Sequence, residues 1–163
     1  MGSDMTGKRV LVTGAGTGIG QGIALEFARE GAAVALHYSR SATGAEAAAR
    51  EINEAGGKAA AFKADFREIA PLQGMARQAV EFLGGLDVLV NCAGITMNRP
   101  LETTTPEQFD TLYAVNVRAP YFLCQALLPE LAAARGVILN ISSIHDYEGY
   151  TEHSVYAGTR GAM

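Results

Sequence analysis

Apolar runs of strand length alternate with longer segments of helical period along the chain, and the alternation repeats five times. The runs predict strands at about 8–13, 33–38, 58–64, 86–92 and 136–142, with helices near 18–30, 43–56, 68–83 and 111–134. Strands joined by helices are the signature of a parallel sheet covered on both faces, a doubly wound α/β fold. Thr105-Pro106-Glu107-Gln108 reads as an N-cap, a first-turn proline and a capping-box glutamine, so a further short helix is expected to start there. The alanine-rich stretch from Gly44 to Ala49 reads as an exposed helix, with Glu46, Arg50, Glu51 and Glu54 supplying a solvated face. No internal linker or repeat interrupts the pattern, so residues 1–163 read as a single domain, with residues 1–5 as an expression remnant or disordered stretch rather than a targeting signal.

The first apolar run empties into Thr13-Gly14-Ala15-Gly16-Thr17-Gly18-Ile19-Gly20, which leads directly into a helical stretch. A strand that turns into a helix beside a pyrophosphate needs positive φ values and backbone without a Cβ in the ligand's way, and glycine supplies both. Gly14, Gly18 and Gly20 give the spacing GxxxGxG, which departs from the GxGxxG of the ordinary dinucleotide fingerprint. A P-loop is excluded as well, because no Gly-Lys-Ser/Thr closes the run. A purely structural glycine turn would share these residues, so the ligand reading depends on what stands further along.

Composition narrows the possibilities. With 48% hydrophobic and 18% charged residues, 163 residues can bury a sizeable core. A net charge of −4 offers no basic field for nucleic acid, and the apolar runs are too short to span a bilayer. Cys92 and Cys124 sit in apolar segments without CxxC spacing and read as buried thiols in a reducing compartment, so the expected location is the cytoplasm and no metal is expected. The second strand ends in His37-Tyr38-Ser39-Arg40. About 20 residues beyond the glycines an acidic residue would meet a free ribose 2′-hydroxyl; a hydroxyl followed by a guanidinium favours a 2′-phosphate instead, and hence NADP over NAD.

With these residues in place, the chain resembles the short-chain dehydrogenase/reductase family. Four motifs carry the resemblance in order: Thr13-Gly14-xxx-Gly18-x-Gly20, Asn91-Cys92-Ala93-Gly94 after the fourth strand, Asn116 in a later helix, and Ser143 thirteen residues before Tyr156. Cys92 stands where the family more often has a second asparagine. The resemblance implies a Rossmann-type sheet on which Gly14, Thr17, Gly18, Ile19 and Gly20 hold pyrophosphate, while Tyr38, Ser39 and Arg40 hold the adenosine phosphate. Asp65 and Phe66 would flank the adenine, and Asn91, Ala93 and Gly94 would lie along the ribose and pyrophosphate. It further implies hydride transfer between NADP(H) and a small carbonyl or secondary-alcohol substrate. Tyr156 would act as acid, Ser143 would polarise the substrate oxygen, Asn116 would organise a relay water, and Tyr156 and Arg160 would contact the cofactor. Helical stretches around 111–134 would form a homo-oligomer contact if the full fold is present, and neither nucleic acid nor membrane is an expected partner.

Two departures qualify the resemblance. Arg160 stands where the family has lysine; it keeps the charge but cannot relay a proton as an amine can. The family pattern also continues past the region of Tyr156, so the expectation is a fragment of a longer enzyme, with Val88, Val90, Ile138 and Ile141 less protected and the fifth strand an open edge. A non-catalytic dinucleotide-binding or assembly module is the alternative, and an oligomerisation fragment built on the apolar helix from Tyr121 to Leu131 is a third. The loop His145-Asp146-Tyr147-Glu148-Gly149-Tyr150-Thr151-Glu152-His153 is expected to line the substrate mouth, where His145, Tyr147 or His153 could contact a polar substrate.

Overall fold

The structure, a computed structural model, describes residues 4–163. Five parallel strands, β1 (Arg9–Val12), β2 (Ala33–Tyr38), β3 (Lys58–Lys63), β4 (Val88–Asn91) and β5 (Val137–Asn140), form one sheet in the order β3-β2-β1-β4-β5. The helices are α1 (Gly18–Arg29), α2 (Ala42–Glu54), α3 (Ile69–Leu83), α4 (Pro106–Tyr113), α5 (Ala119–Ala134) and α6 (Ser154–Gly161). The doubly wound α/β architecture expected from the pattern is the one observed, with strand ends displaced by one or two residues.

Strand alternation divides the core in two. Leu11, Ala35 and Leu89 face α3 and α5, where they meet Leu72, Met75, Ala79, Leu123 and Leu127. The intervening residues Val10, Val12, Val34, Leu36, Val88 and Val90 face α1 and α2, against Ala24, Ala48 and Ile52. Val88 and Val90 are therefore buried, contrary to the expectation that they would be poorly protected; they belong to the core cluster that also holds residues of α1 and α2. Ile141 is half-buried against the same cluster. The expected exposure falls on β5, where Val137, Ile138 and Leu139 are 52%, 39% and 42% exposed and the strand pairs only with β4. The alanine-rich α2 is likewise only half solvated, since Ala45, Ala48 and Ala49 are buried while Glu46, Arg50, Glu51 and Glu54 face out.

Local chemistry sets the element ends. Thr105 starts α4 with the full reciprocal box: Gln108 N–H donates to Thr105 Oγ1 at 3.3 Å and Thr105 N–H donates to Gln108 Oε1 at 3.1 Å. The chain does not then begin a separate helix at 111. A π turn over Ala114–Arg118 joins α4 to α5, with Ala119 N–H reaching back five residues to Ala114 O. At the N-terminus Met1 to Ser3 lie outside the described residues, but Met5 is fixed, its N–H donating to Glu30 O at 2.9 Å and its side chain packing on the α1 face. Among the described residues no helix is long and apolar enough to cross a membrane.

Candidate active site

All five strands run the same way, so their carboxyl ends open on one edge of the sheet, and the predicted site residues gather there. The strand order reverses between β1 and β4. The chain steps outward from β1 to β3 and then returns to the other side, which leaves a crevice above the β1–β4 boundary.

Thr13 closes the base of that crevice. Its buried hydroxyl donates to Val90 O at 3.2 Å and accepts the N–H groups of Cys92 and Ala93 at 3.0 Å each, tying the glycine turn to the Asn91–Gly94 loop. Gly14 follows with φ +68, and a Cβ there would stand 2.8 Å from Ala93 Cα. The turn thus packs main chain to main chain on the Asn91–Gly94 loop, at an approach that leaves no space for a side chain at Gly14. Thr17 precedes α1 in extended conformation with its hydroxyl uncommitted to the cap, and Gly18 and Ile19 lie exposed at the helix start. The first amides of a helix have no intrahelical acceptor and carry the positive end of its dipole. No acidic residue occupies the first turn of α1. Helix-start amides without intrahelical acceptors, a Thr17 hydroxyl free of the cap and a first turn without carboxylates fit a pyrophosphate.

Beyond β2, Tyr38 is half-buried and Ser39 and Arg40 are exposed. Arg40 forms no ion pair among the described residues, although its charge acts on Asp65 across the rim. Asp65 is held down to about 2, chiefly by its hydrogen bonds from the Arg67 side chain and amide. Phe66 corrects one expectation: its ring is buried, stacked on His37 with centroids 3.9 Å apart and planes within 3°, so the loop offers an adenine only the Asp65 side and main chain.

Asn91 is buried and points across the sheet, its Nδ2 donating to Asn140 Oδ1 at 2.9 Å, while its own Oδ1 has no partner. Cys92 and Cys124 are half-buried rather than fully enclosed, and burial pushes the Cys92 thiol up. Asn116, in the π turn, is completely buried: Oδ1 accepts Ile95 N–H at 2.9 Å, and Nδ2 uses both hydrogens, donating to Ile95 O at 2.9 Å and to Thr159 Oγ1 at 3.0 Å. One lone pair remains on the enclosed Oδ1. The residue four positions beyond Asn116 is Pro120, which has no N–H to donate to the Asn116 carbonyl in an α-helical register.

The remaining residues meet where β5 ends. Ser143 begins a short 3₁₀ turn and its Oγ accepts His145 N–H at 3.3 Å. Tyr156 lies in α6, and the His145 ring stands edge-on to it at 5.4 Å. Arg160, one turn further, is only 7% exposed: Nη1 donates to Ile141 O at 3.3 Å, its carbonyl accepts Ser142 Oγ at 3.2 Å, and its Cζ sits 5.0 Å from the Tyr156 ring centroid. Its guanidinium also lies against Gly94, where any Cβ would collide with it. Arg160 has no ion-pair partner among the described residues, and its Nε is buried without an acceptor. A buried cation without an ion-pair partner, packed against a tyrosine ring, suits a site that handles developing negative charge. In the adjoining loop the His145 and His153 rings stack at 4.8 Å, with Tyr150 edge-on to His145 and Tyr147 exposed.

Thr13, His37 and Thr159 were not singled out from the sequence as site residues. Nothing in hydrophobic periodicity marks a buried polar group that serves main-chain atoms, although the polar Thr13 and His37 at strand ends were visible.

A glycine turn at a switch point, with Tyr156 and Arg160 packed together beyond the end of β5, belongs to a Rossmann-type α/β fold. The chain belongs to the short chain dehydrogenase family, whose model matches residues 8–163. It is 35% identical over 159 residues to the hydroxynaphthalene reductase-like protein Arp2 of Metarhizium robertsii, an alignment covering 98% of this chain and 60% of that protein. A short chain dehydrogenase from Burkholderia cenocepacia, solved in complex with NADP, superposes with a TM-score of 0.92 at 35% identity, covering 98% of this chain and 65% of that one. A blue fluorescent protein from a metagenomic library, solved with NADPH, gives 0.93 at 34% identity, with coverages of 98% and 66%. The chain thus spans about 60% of the length of the curated relatives it matches.

Proposed function

We propose that this chain carries the cofactor-binding and acid–base residues of an NADP(H)-dependent oxidoreductase that interconverts a carbonyl and a secondary alcohol. The observation that carries the reading is the buried Arg160 guanidinium, without an ion-pair partner among the described residues, seated between Gly94 and the Tyr156 ring. NADP among the solved relatives supports the choice of cofactor, as do Ser39 and Arg40 at the β2 end.

In this reading Gly14, Thr17, Gly18, Ile19 and Gly20 hold the pyrophosphate, and Tyr38, Ser39 and Arg40 the 2′-phosphate. Asp65 and the Phe66 main chain flank the adenine, Asn91, Ala93 and Gly94 line the ribose side, and Tyr156 and Arg160 face the nicotinamide half. The bound cofactor supplies or accepts the hydride. In the reducing direction Ser143 Oγ donates a hydrogen bond to the carbonyl oxygen and holds it, and Tyr156 Oη gives that oxygen its proton as the carbon is reduced. Arg160 provides a fixed positive charge for the phenolate left behind and stays protonated throughout. The Asn116 carbonyl holds the water from which Tyr156 is reprotonated. A homo-oligomer forms through the outer face of α5, where Tyr121 and Leu128 are exposed.

NADPH oxidation on a panel of ketones, aldehydes and 3-oxo esters tests the reading, with Arg160→Lys in parallel. Measurable turnover that rises about tenfold in the lysine variant is expected, an amine being able to pass a proton that arginine retains. NADPH binding without oxidation of any substrate by either chain would overturn it in favour of dinucleotide binding alone.

A further inference from the structure

His37 lies under the cofactor cradle but takes no part in the chemistry described above. Its ring is 2% exposed, near the carboxyl end of β2, and each polar atom is used. Gly14 N–H donates to Nδ1 at 3.2 Å. An amide can only donate, so Nδ1 is unprotonated, and Nε2 carries the hydrogen it gives to Ala64 O at 3.2 Å. The main chain on either side thereby selects one tautomer. The residue's own carbonyl accepts Ala15 N–H at 2.8 Å, so His37 holds two successive amides of the glycine turn. Its ring face is packed flat on Phe66, at the root of the Asp65–Phe66 loop.

An apolar residue of similar volume would fill the same space. It would leave Gly14 N–H and Ala64 O buried without partners, and Gly14 is the residue whose positive φ shapes the cradle. Burial pushes the His37 imidazole down to about 4, and no charged side chain opposes this: Asp65 is paired with Arg67, while Lys63 and Arg40 stand exposed on the rim.

We propose that His37 is a positioning residue for the dinucleotide: as the Nε2–H tautomer it locks the Gly14 turn to the Asp65–Phe66 loop, so that the pyrophosphate and adenine ends are gripped at a fixed separation. The proposal rests on the cofactor reading above for the identity of the ligand, and on the hydrogen bonds for the lock.

Two amide replacements divide the ring's functions. The short side chain of His37→Asn reaches the Gly14 side, whereas the longer one of His37→Gln reaches the Ala64 side, and His37→Phe keeps the stacking alone. Titration with NADPH, followed by fluorescence, should show His37→Phe and His37→Gln weakened about tenfold or more and His37→Asn within about threefold of the parent chain, one buried hydrogen bond being worth about that factor. Amide exchange without cofactor should quicken at Gly14 in the first two variants and be restored in the third. Nitrogen NMR of the parent chain, which needs no variant to fold, should show a neutral His37 with its proton on Nε2 at pH 6. An Nδ1–H or charged ring at that pH, or unchanged NADPH affinity and Gly14 exchange in all three variants, would overturn the proposal. Failure of the parent chain to bind NADPH defeats the cofactor reading itself, whereas tight parental binding with indifferent variants defeats only the role of His37.

Discussion

His37 makes the folded state sensitive to acid in a direction fixed by its burial. Its folded value is about 4, below the 6.5 of an unfolded histidine, so between these values the unfolded chain binds a proton that the folded chain refuses. The stability is complete above pH 6.5, is lost as pH falls toward 4, and amounts to about 3 kcal/mol over that window. Urea denaturation at pH 7 and pH 4.5 should show that loss in the parent chain and a smaller one in His37→Phe, after allowance for carboxylates such as Asp87, whose folded values are lowered and which act in the same direction at lower pH. At this scale the sequence was only partly legible. The glycine turn could be read because its conformational demand is local. The inward turn of Phe66 and the burial of the Asn116 side chain could not, because each depends on a partner far along the chain: His37 for the first, Ile95 and Thr159 for the second.

Among the elements, the π turn between α4 and α5 diverges most from expectation. Periodicity places a helix through 111–134, and the apolar positions do continue through it, but one extra residue between hydrogen bonds rotates everything that follows. That rotation is invisible to a 3.6-residue period, although Pro120 at the start of α5 marks a carbonyl without its usual donor. Pro120→Ala restores an N–H where Asn116 O could receive it. If that carbonyl holds the relay water, Pro120→Ala should lower the turnover number about tenfold while leaving the KM for NADPH unchanged and the melting temperature equal or higher. Equal turnover would show that the carbonyl has no part in proton return. The Thr105 capping box, by contrast, was readable in full, because its four residues contain both donors and both acceptors.

For the whole molecule, the sheet is well covered at its inner strands and exposed on both faces at β5. The fold class was legible because five apolar runs and the helices between them state the layers directly; the distribution of burial was not, because it depends on which helix covers which strand. Val88 and Val90 are buried in the core cluster that includes residues of α1 and α2, while β5 presents Val137, Ile138 and Leu139 to solvent along an edge unpaired among the described residues. Such an edge is a template for another strand. Sedimentation of the 163-residue chain should therefore report species heavier than 17.1 kDa that grow with concentration, and Leu139→Lys should abolish that growth, leaving at most the oligomer formed through α5, without loss of helical signal. A monomer at all concentrations would show that the edge is inert. The contact of Arg160 with Gly94 spans the second half of the molecule. No larger residue fits at position 94 until the one at 160 has been shortened or turned away. The two positions are therefore coupled: a side chain added at 94 is accommodated only together with a move of the Arg160 head group, so substitutions at the two sites do not act independently.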